Sequence, residues 1–193
     1  MEVRFHCARW AELPRLELYL DQVMLMLEEI LAPMLPDGGC ISAAAINNCV
    51  KQKLLAPTVK KKYGRGHLAD LVMLFLLKRV LSTAEQQPVL AELKQGRTPE
   101  NAYDLFCAEL EYHLSAGELP APEGCPPLVR AALQALAGKL RFELLLAETA
   151  TIAESDAPAP ENAKPEQKRK AEKRAKGKND GDETVENKGA KTL

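Results

Sequence analysis

The sequence lacks any apolar run long enough to cross a membrane. Spanning a bilayer takes about 20 consecutive apolar residues, and polar residues interrupt every hydrophobic stretch of this chain well before that length. The first residues also lack the basic region and continuous apolar segment of a secretory leader. We therefore expect a cytoplasmic protein with no membrane partner.

Cysteine is scarce and badly placed for a structural role. The chain has five cysteines, an odd number, and none of them forms a Cys-x-x-Cys pair. The spacing excludes a disulfide framework and a zinc ribbon, because both need paired or clustered sulfur ligands. We expect reduced thiols and no metal site.

Local motifs of catalysis are also missing. No Gly-rich phosphate loop, His-Glu-x-x-His or Gly-x-Ser-x-Gly sequence occurs. Glu109, Glu111 and His113 alternate along a predicted helix, and residues two apart do not share a helix face. We therefore predict no catalytic residue, no cofactor and a protein that is not an enzyme.

Acidic residues are absent from one stretch, residues 41–67, which holds six basic side chains. The flanking regions are acidic: residues 1–40 contain 3 basic and 7 acidic side chains, and residues 68–156 contain 7 and 13. An acid-free cluster of cations is what phosphate binding with counterion release requires. The acidic remainder would orient the approach of a polyanion.

The same stretch has the pattern of a short helix, a basic ribbon and a second helix. Ser42 is placed as an N-cap for a helix over residues 42–53, whose apolar positions have helical spacing. Pro57 cannot continue that helix, so residues 58–63 should leave it as a ribbon, a candidate wing. The second helix follows, with its apolar positions on one stripe: Leu68, Leu71, Val72, Phe75, Leu76 and Val80.

Further helices are predicted on both sides of this unit. Residues 16–35 have a helical apolar stripe, with Met24, Met26 and Met34 as core residues. Shorter helices are predicted over residues 83–95 and 99–115, the second with Thr98 as its N-cap.

The last predicted helix runs between Leu128 and Glu154 and has a broad apolar face. It either caps the domain or forms the seam of a homodimer, since its spacing holds no heptad for long. Residues 156–193 change abruptly to a composition with hardly any large apolar side chain, and we predict a disordered tail. Its basic run either contacts nucleic acid or only solubilises the chain.

The predicted domain therefore covers residues 1–155, with a helix-turn-helix unit at about 16–82 and C-terminal helices at about 83–155. The fold class is all-α with a minimal β-ribbon wing. The link across residues 36–39 is longer than the turn of a compact helix-turn-helix.

Two motifs of this unit resemble the head of the MerR-type winged helix-turn-helix regulators. They are the turn Leu54-Leu55-Ala56-Pro57 and the ribbon Lys61-Lys62-Tyr63. The chain is similar, more closely, to a small bacterial family, domain-of-unknown-function family 1836, over residues 9–82. The residues that carry this likeness are Ile46-Asn47-Asn48-Cys49-Val50-Lys51, the Pro57 to Tyr63 ribbon and His67-Leu68. Cys49 stands where that family has an aromatic residue, and Asn47 where MerR-type helices usually carry arginine.

The resemblance and the basic stretch together predict a transcriptional regulator that binds double-stranded DNA. Asn47, Asn48 and Lys51 would read base edges in the major groove. The wing would grip the phosphate backbone through its cations, with the Tyr63 ring packed beneath: Lys60, Lys61, Lys62 and Arg65. The alternative is a protein-interaction adaptor whose helix-turn-helix is degenerate. Nothing in the sequence indicates an effector.

Overall fold

The computed structural model describes residues 6–35, 41–115 and 118–155. Within these ranges the chain forms one short 3-10 helix, Trp10–Glu12, and six α-helices, with no β-strand. The helices are α1 (Leu20–Leu31), α2 (Ala43–Lys51), α3 (Arg65–Leu77), α4 (Thr83–Lys94), α5 (Pro99–Leu114) and α6 (Pro127–Ser155). The all-α prediction is confirmed. The predicted disordered tail and the turn at residues 36–39 lie outside the described residues.

Helix α3 lies at the centre of the core. Residues 71–77 are all buried, so the helix is covered on every side rather than along the single stripe that the sequence predicted. It packs against α1 on one side and α5 on another. A helix that is apolar all round needs such a central position to hide its surface from water.

Helix α1 is shorter than predicted because an extended segment precedes it. Leu18 and Tyr63 exchange two backbone hydrogen bonds, of 2.9 and 2.8 Å, and this bridge holds Leu18 in an extended conformation. The helix then begins at Leu20, after the side chain of Gln22 accepts the backbone N–H of Tyr19 at 2.9 Å. Leu16, which the pattern placed on the buried stripe, is 77% exposed.

Buried carboxylates on α5 fasten the two ends of the domain. Glu111 accepts the backbone N–H of Cys7 at 2.7 Å and pairs with Arg9. Glu109 is fully buried and pairs with Arg130 of α6 at 2.8 Å. A buried carboxylate needs such a cation, because its desolvation is otherwise costly.

Helix α6 covers the domain with its first half. Its buried side chains follow helical spacing: Val129, Leu133, Leu136 and Leu140. Further along, Arg141 donates to the backbone oxygen of His113 at the end of α5, and Glu143 pairs with Arg79 beyond α3. No helix in the described ranges is long and apolar enough to cross a membrane.

Candidate nucleic-acid interface

Helix α2 turns a polar face outward. Ile46 is fully buried and fixes the rotation of the helix about its axis. Asn47, Asn48 and Lys51, the three residues predicted to read bases, are all exposed. Positions 47 and 51 are four apart and positions 48 and 51 are three apart, so these side chains share one face.

Both ends of α2 are closed by local bonds. At the start, the Ser42 hydroxyl accepts the backbone N–H of Ala45 at 3.2 Å, which confirms the predicted N-cap. At the end, Lys53 adopts a φ of 58°, and the carbonyl of Cys49 accepts the N–H groups of Leu54 and Leu55. This left-handed residue ends the helix directly after Lys51, the last residue of its exposed face.

The basic ribbon is a tight turn rather than a pair of strands. Val59 and Lys62 form an isolated bridge, in which the Lys62 N–H donates to the Val59 oxygen at 3.0 Å. The two residues between them, Lys60 and Lys61, have φ angles of 52° and 60° and are exposed. Positive φ at both central positions is the pattern of a type I′ turn, which normally selects Asn and Gly.

The base of this turn is pinned to the domain by Tyr63. Besides the bridge to Leu18, the Tyr63 ring is buried and meets the His67 ring edge-on, with centroids 5.9 Å apart. Burial raises the pKa of the Tyr63 hydroxyl. The turn therefore projects from a fixed anchor, with its two lysines at the tip.

Two of the predicted contact residues face the domain instead of solvent. Tyr63 is only 6% exposed, as expected for a ring that packs beneath the turn but not for a direct DNA contact. Arg65 holds its guanidinium over the Trp10 ring, 5.7 Å from the centroid, and its Nε donates to the Pro14 oxygen at 3.4 Å. The Arg65 side chain thus holds the N-terminal segment against the start of α3, whereas the Tyr63 ring packs on His67.

Lys62 is engaged in part. Its Nζ lies 3.4 Å from a carboxylate oxygen of Glu17 and 5.9 Å from the centroid of the Tyr19 ring. An exposed ion pair of this kind contributes little to stability, so Lys62 can leave the carboxylate of Glu17 and bind a phosphate instead. Lys60 and Lys61 are therefore the stronger candidates for contacts with the phosphate backbone of DNA.

The predicted base readers have exposed neighbours that the sequence pattern alone does not indicate. Ala44, Gln52 and Lys53 are exposed beside them on and just after α2. Lys78, at the end of α3, is also exposed and lines a groove of about 220 Å³ together with Asn48. The only sequence signal for Lys78 was its charge, because its proximity to α2 depends on how α3 packs.

Cys49 borders the same groove on its inner side. Its thiol is half-buried, and burial raises the pKa of that thiol although the nearby Lys78 opposes the shift. The thiol is therefore protonated at neutral pH and is a poor nucleophile.

No group of three histidine, cysteine or acidic side chains in the described ranges is arranged to hold a metal ion. Cys7, Cys107 and Cys125 are free and buried. Burial and the neighbouring Glu109 raise the pKa of Cys125 to about 11.

A known protein family covers the first half of the chain. The chain matches the family described as "Domain of unknown function (DUF1836)" over residues 8–106, just over half of its length. No curated protein and no solved structure matches it significantly. The matched region runs from the segment before the 3-10 helix into α5 and includes α2, the lysine turn and α3.

Proposed function

This chain belongs to the DUF1836 family, and because that description assigns no activity, we propose from the geometry of the site that the protein binds duplex DNA as a transcriptional regulator. Helix α2 would lie in the major groove, and the Val59 to Lys62 turn would act as a short wing beside it. In this proposal α1 and α2 would be the two helices of a helix-turn-helix unit, and the turn that precedes α3 would be its wing.

The observation that carries the proposal is the outward face of α2. Asn47 and Asn48 present amide groups that can bond an adenine edge through two atoms, and Lys51 can reach guanine or a phosphate. The exposed Ala44 on the same face is small enough to let the helix approach the bases and to contact a thymine methyl group. Buried Ile46 fixes which side chains face outward.

The lysine turn supplies the second part of the interface. Lys60 and Lys61 project from a tip that is anchored at Tyr63, in a stretch of chain without any acidic residue. Contacts of this type hold a protein in register on the duplex without reading its sequence. Lys53 and Lys78 add exposed cations at the end of α2 and α3.

The proposal is tested by selecting bound fragments from random duplex DNA and measuring affinity for the enriched site. Replacing Asn47 or Asn48 with alanine should then weaken binding to that site by about 1 to 3 kcal/mol, because one base contact is lost. Binding to unrelated duplexes should barely change, since lysine–phosphate contacts dominate it.

The matched control is Asn101→Ala, which removes an exposed asparagine from α5 and should leave DNA affinity unchanged. If no sequence is enriched, or if both α2 variants bind the selected site as tightly as before while remaining folded by circular dichroism, α2 is not a recognition helix. The protein would then be better described as a protein-interaction adaptor with a degenerate helix-turn-helix.

A further inference from the structure

A groove of about 220 Å³, which we call the α2–α4 groove, lies between α2, the end of α3 and the start of α4. Leu74 and Phe75 of α3, both buried, line it together with the half-buried Leu54 and Cys49. An enclosed apolar cavity of about 150 Å³ is already large enough to bind benzene. Sites for drug-sized ligands begin at about 300 Å³. The size of the α2–α4 groove therefore suits one ring with a short side chain.

Lys78 gives the α2–α4 groove a positive charge that no carboxylate neutralises. Lys62, Lys94 and Lys139 each pair with a carboxylate, whereas no carboxylate in the described ranges pairs with Lys78. Its charge acts within the groove, because it opposes the rise that burial causes in the pKa of the Cys49 thiol. No acidic side chain is among the described residues that line the groove. An apolar space beside a free cation matches a ligand with an apolar body and a negative head group.

Gln86 adds a fixed amide to the lining of the α2–α4 groove. This side chain is only 3% exposed, and its Nε2 donates to the Leu81 backbone oxygen at 3.2 Å. An amide has two N–H donors and a carbonyl acceptor, so this one bond leaves hydrogen-bonding capacity over. The remaining groups make no hydrogen bond to any described residue. Because buried polar groups are normally paired, a ligand in the groove can supply the missing partner.

We propose that the α2–α4 groove binds a small aromatic carboxylate. Its ring lies against Phe75 and Leu74, because paired rings gain from stacking or edge contact beyond the burial of apolar area. Its carboxylate pairs with Lys78 through a charge-assisted hydrogen bond, which is stronger than a neutral one. A ligand with a cationic head group would meet the like charge of Lys78 instead. The groove thus selects both the apolar body and the charge of its occupant.

The α2–α4 groove also borders the face of α2 that is assigned to DNA. Asn48 is exposed on that face and lines the groove at the same time. An occupant contacts the Asn48 side chain and hinders its reach to a base edge in the major groove. The ligand is therefore an effector that weakens binding to the selected duplex. This consequence rests on the proposed function, whereas binding of the ligand itself does not.

A titration of the full chain with phenylacetate tests the site without DNA. In amide NMR spectra the signals of residues that line the α2–α4 groove should shift, with a dissociation constant in the millimolar range that suits a ligand of so few atoms. Phenethylamine has the same ring and the opposite charge, and it should bind about tenfold more weakly or less. A titration that shifts no signal of the groove overturns the proposal, and so does equal binding of the two compounds.

Two substitutions test the site by different mechanisms, so that a folding defect in one leaves the other informative. Lys78→Gln should weaken phenylacetate binding by about tenfold, because the carboxylate loses its charged partner. Cys49→Phe should abolish binding, because the larger side chain fills the groove. Lys60→Gln removes an exposed lysine that does not line the groove and is the matched control, with affinity unchanged. Equal affinity of Lys78→Gln and Lys60→Gln overturns the assigned site.

The effect on DNA is measured separately, with the selected duplex. Saturating phenylacetate should weaken binding by about fivefold or more, the effect of losing one base contact. Sodium acetate at the same concentration controls for ionic strength, which by itself weakens DNA binding. In Cys49→Phe the two salts should act alike. Equal DNA affinity of the parent chain in both salts overturns the effector role. A chain that selects no duplex overturns the proposed function and the effector role with it, whereas the titration alone decides the ligand site.

Discussion

Lys60 and Lys61 show how a local strain can indicate function. Their φ angles of 52° and 60° lie in the left-handed region, which costs a residue with a side chain of order 1 kcal/mol or more. Asparagine and glycine adopt this turn with less strain, yet the chain has two lysines there. A strained pair of cations at an exposed tip is understandable if the charges bind a ligand.

The first prediction distinguishes the effect of this turn on folding stability from its effect on DNA binding. Lys60→Asn with Lys61→Gly should stabilise the fold by about 1 kcal/mol, because the turn loses its strain. The same variant should bind all duplexes more weakly, and the slope of log affinity against log salt should fall by about 1.8 for the two lost contacts. Urea unfolding and binding at several salt concentrations measure the two effects.

The control for this variant is Lys60→Arg with Lys61→Arg, which keeps both charges and should keep the salt slope. An unchanged slope in the Asn-Gly variant would remove the turn from the DNA interface. A loss of stability in that variant would mean that the lysine side chains support the turn in some other way.

At the scale of the element, α2 is a short helix that depends on its context. With nine residues it is too short to be stable alone, so its cap and its buried Ile46 must hold it. The Ser42 cap has a counterpart in Thr98, whose hydroxyl accepts the Asn101 N–H at the same distance of 3.2 Å. The two caps thus form a natural pair for comparison.

The second prediction uses that pair. Ser42→Ala and Thr98→Ala should each lower the free energy of unfolding by about 1 kcal/mol, because each leaves a first-turn N–H without its acceptor. Only Ser42→Ala should also weaken DNA binding, since it frays the helix assigned to the major groove. Thermal melts and titrations with the selected duplex provide the measurements; equal effects of both substitutions on affinity would argue against α2 as the contact.

At the scale of the whole molecule, charge and apolar surface are segregated along the chain. The six cations of residues 41–67 stand between two acidic regions, and α6 leaves Phe142 and Leu145 exposed. The field of such a molecule would orient a polyanion towards α2 and the lysine turn.

The third prediction concerns the extent of the folding unit. A fragment of residues 1–155 should unfold cooperatively at the same temperature as the full chain and should bind the selected duplex with the same preference. The reason is compositional, because residues after 155 have too little apolar surface to offset the entropy lost on ordering. Limited proteolysis should stop near that position, and protection of the C-terminal region would contradict the boundary.

Part of this structure could be predicted from short stretches of sequence and from the numbers of charged residues in them. The caps at Ser42 and Thr98 depend only on the next three residues, so they could be recognised without any tertiary information. The all-α class follows from helical spacing, and the acid-free segment follows from charge alone. These properties belong to short stretches of chain and do not change when the chain folds.

Only the tertiary structure determined which side chains and helix faces are buried and which are exposed. The sequence could not show that Arg65 turns towards Trp10, or that α3 is buried all round, because each depends on elements distant along the chain. The sequence also left α6 with two apolar faces and no way to choose between them. Folding buried the side of α6 that begins at Val129 and left Phe142 and Leu145 exposed, because a helix can press only one face against the domain it covers.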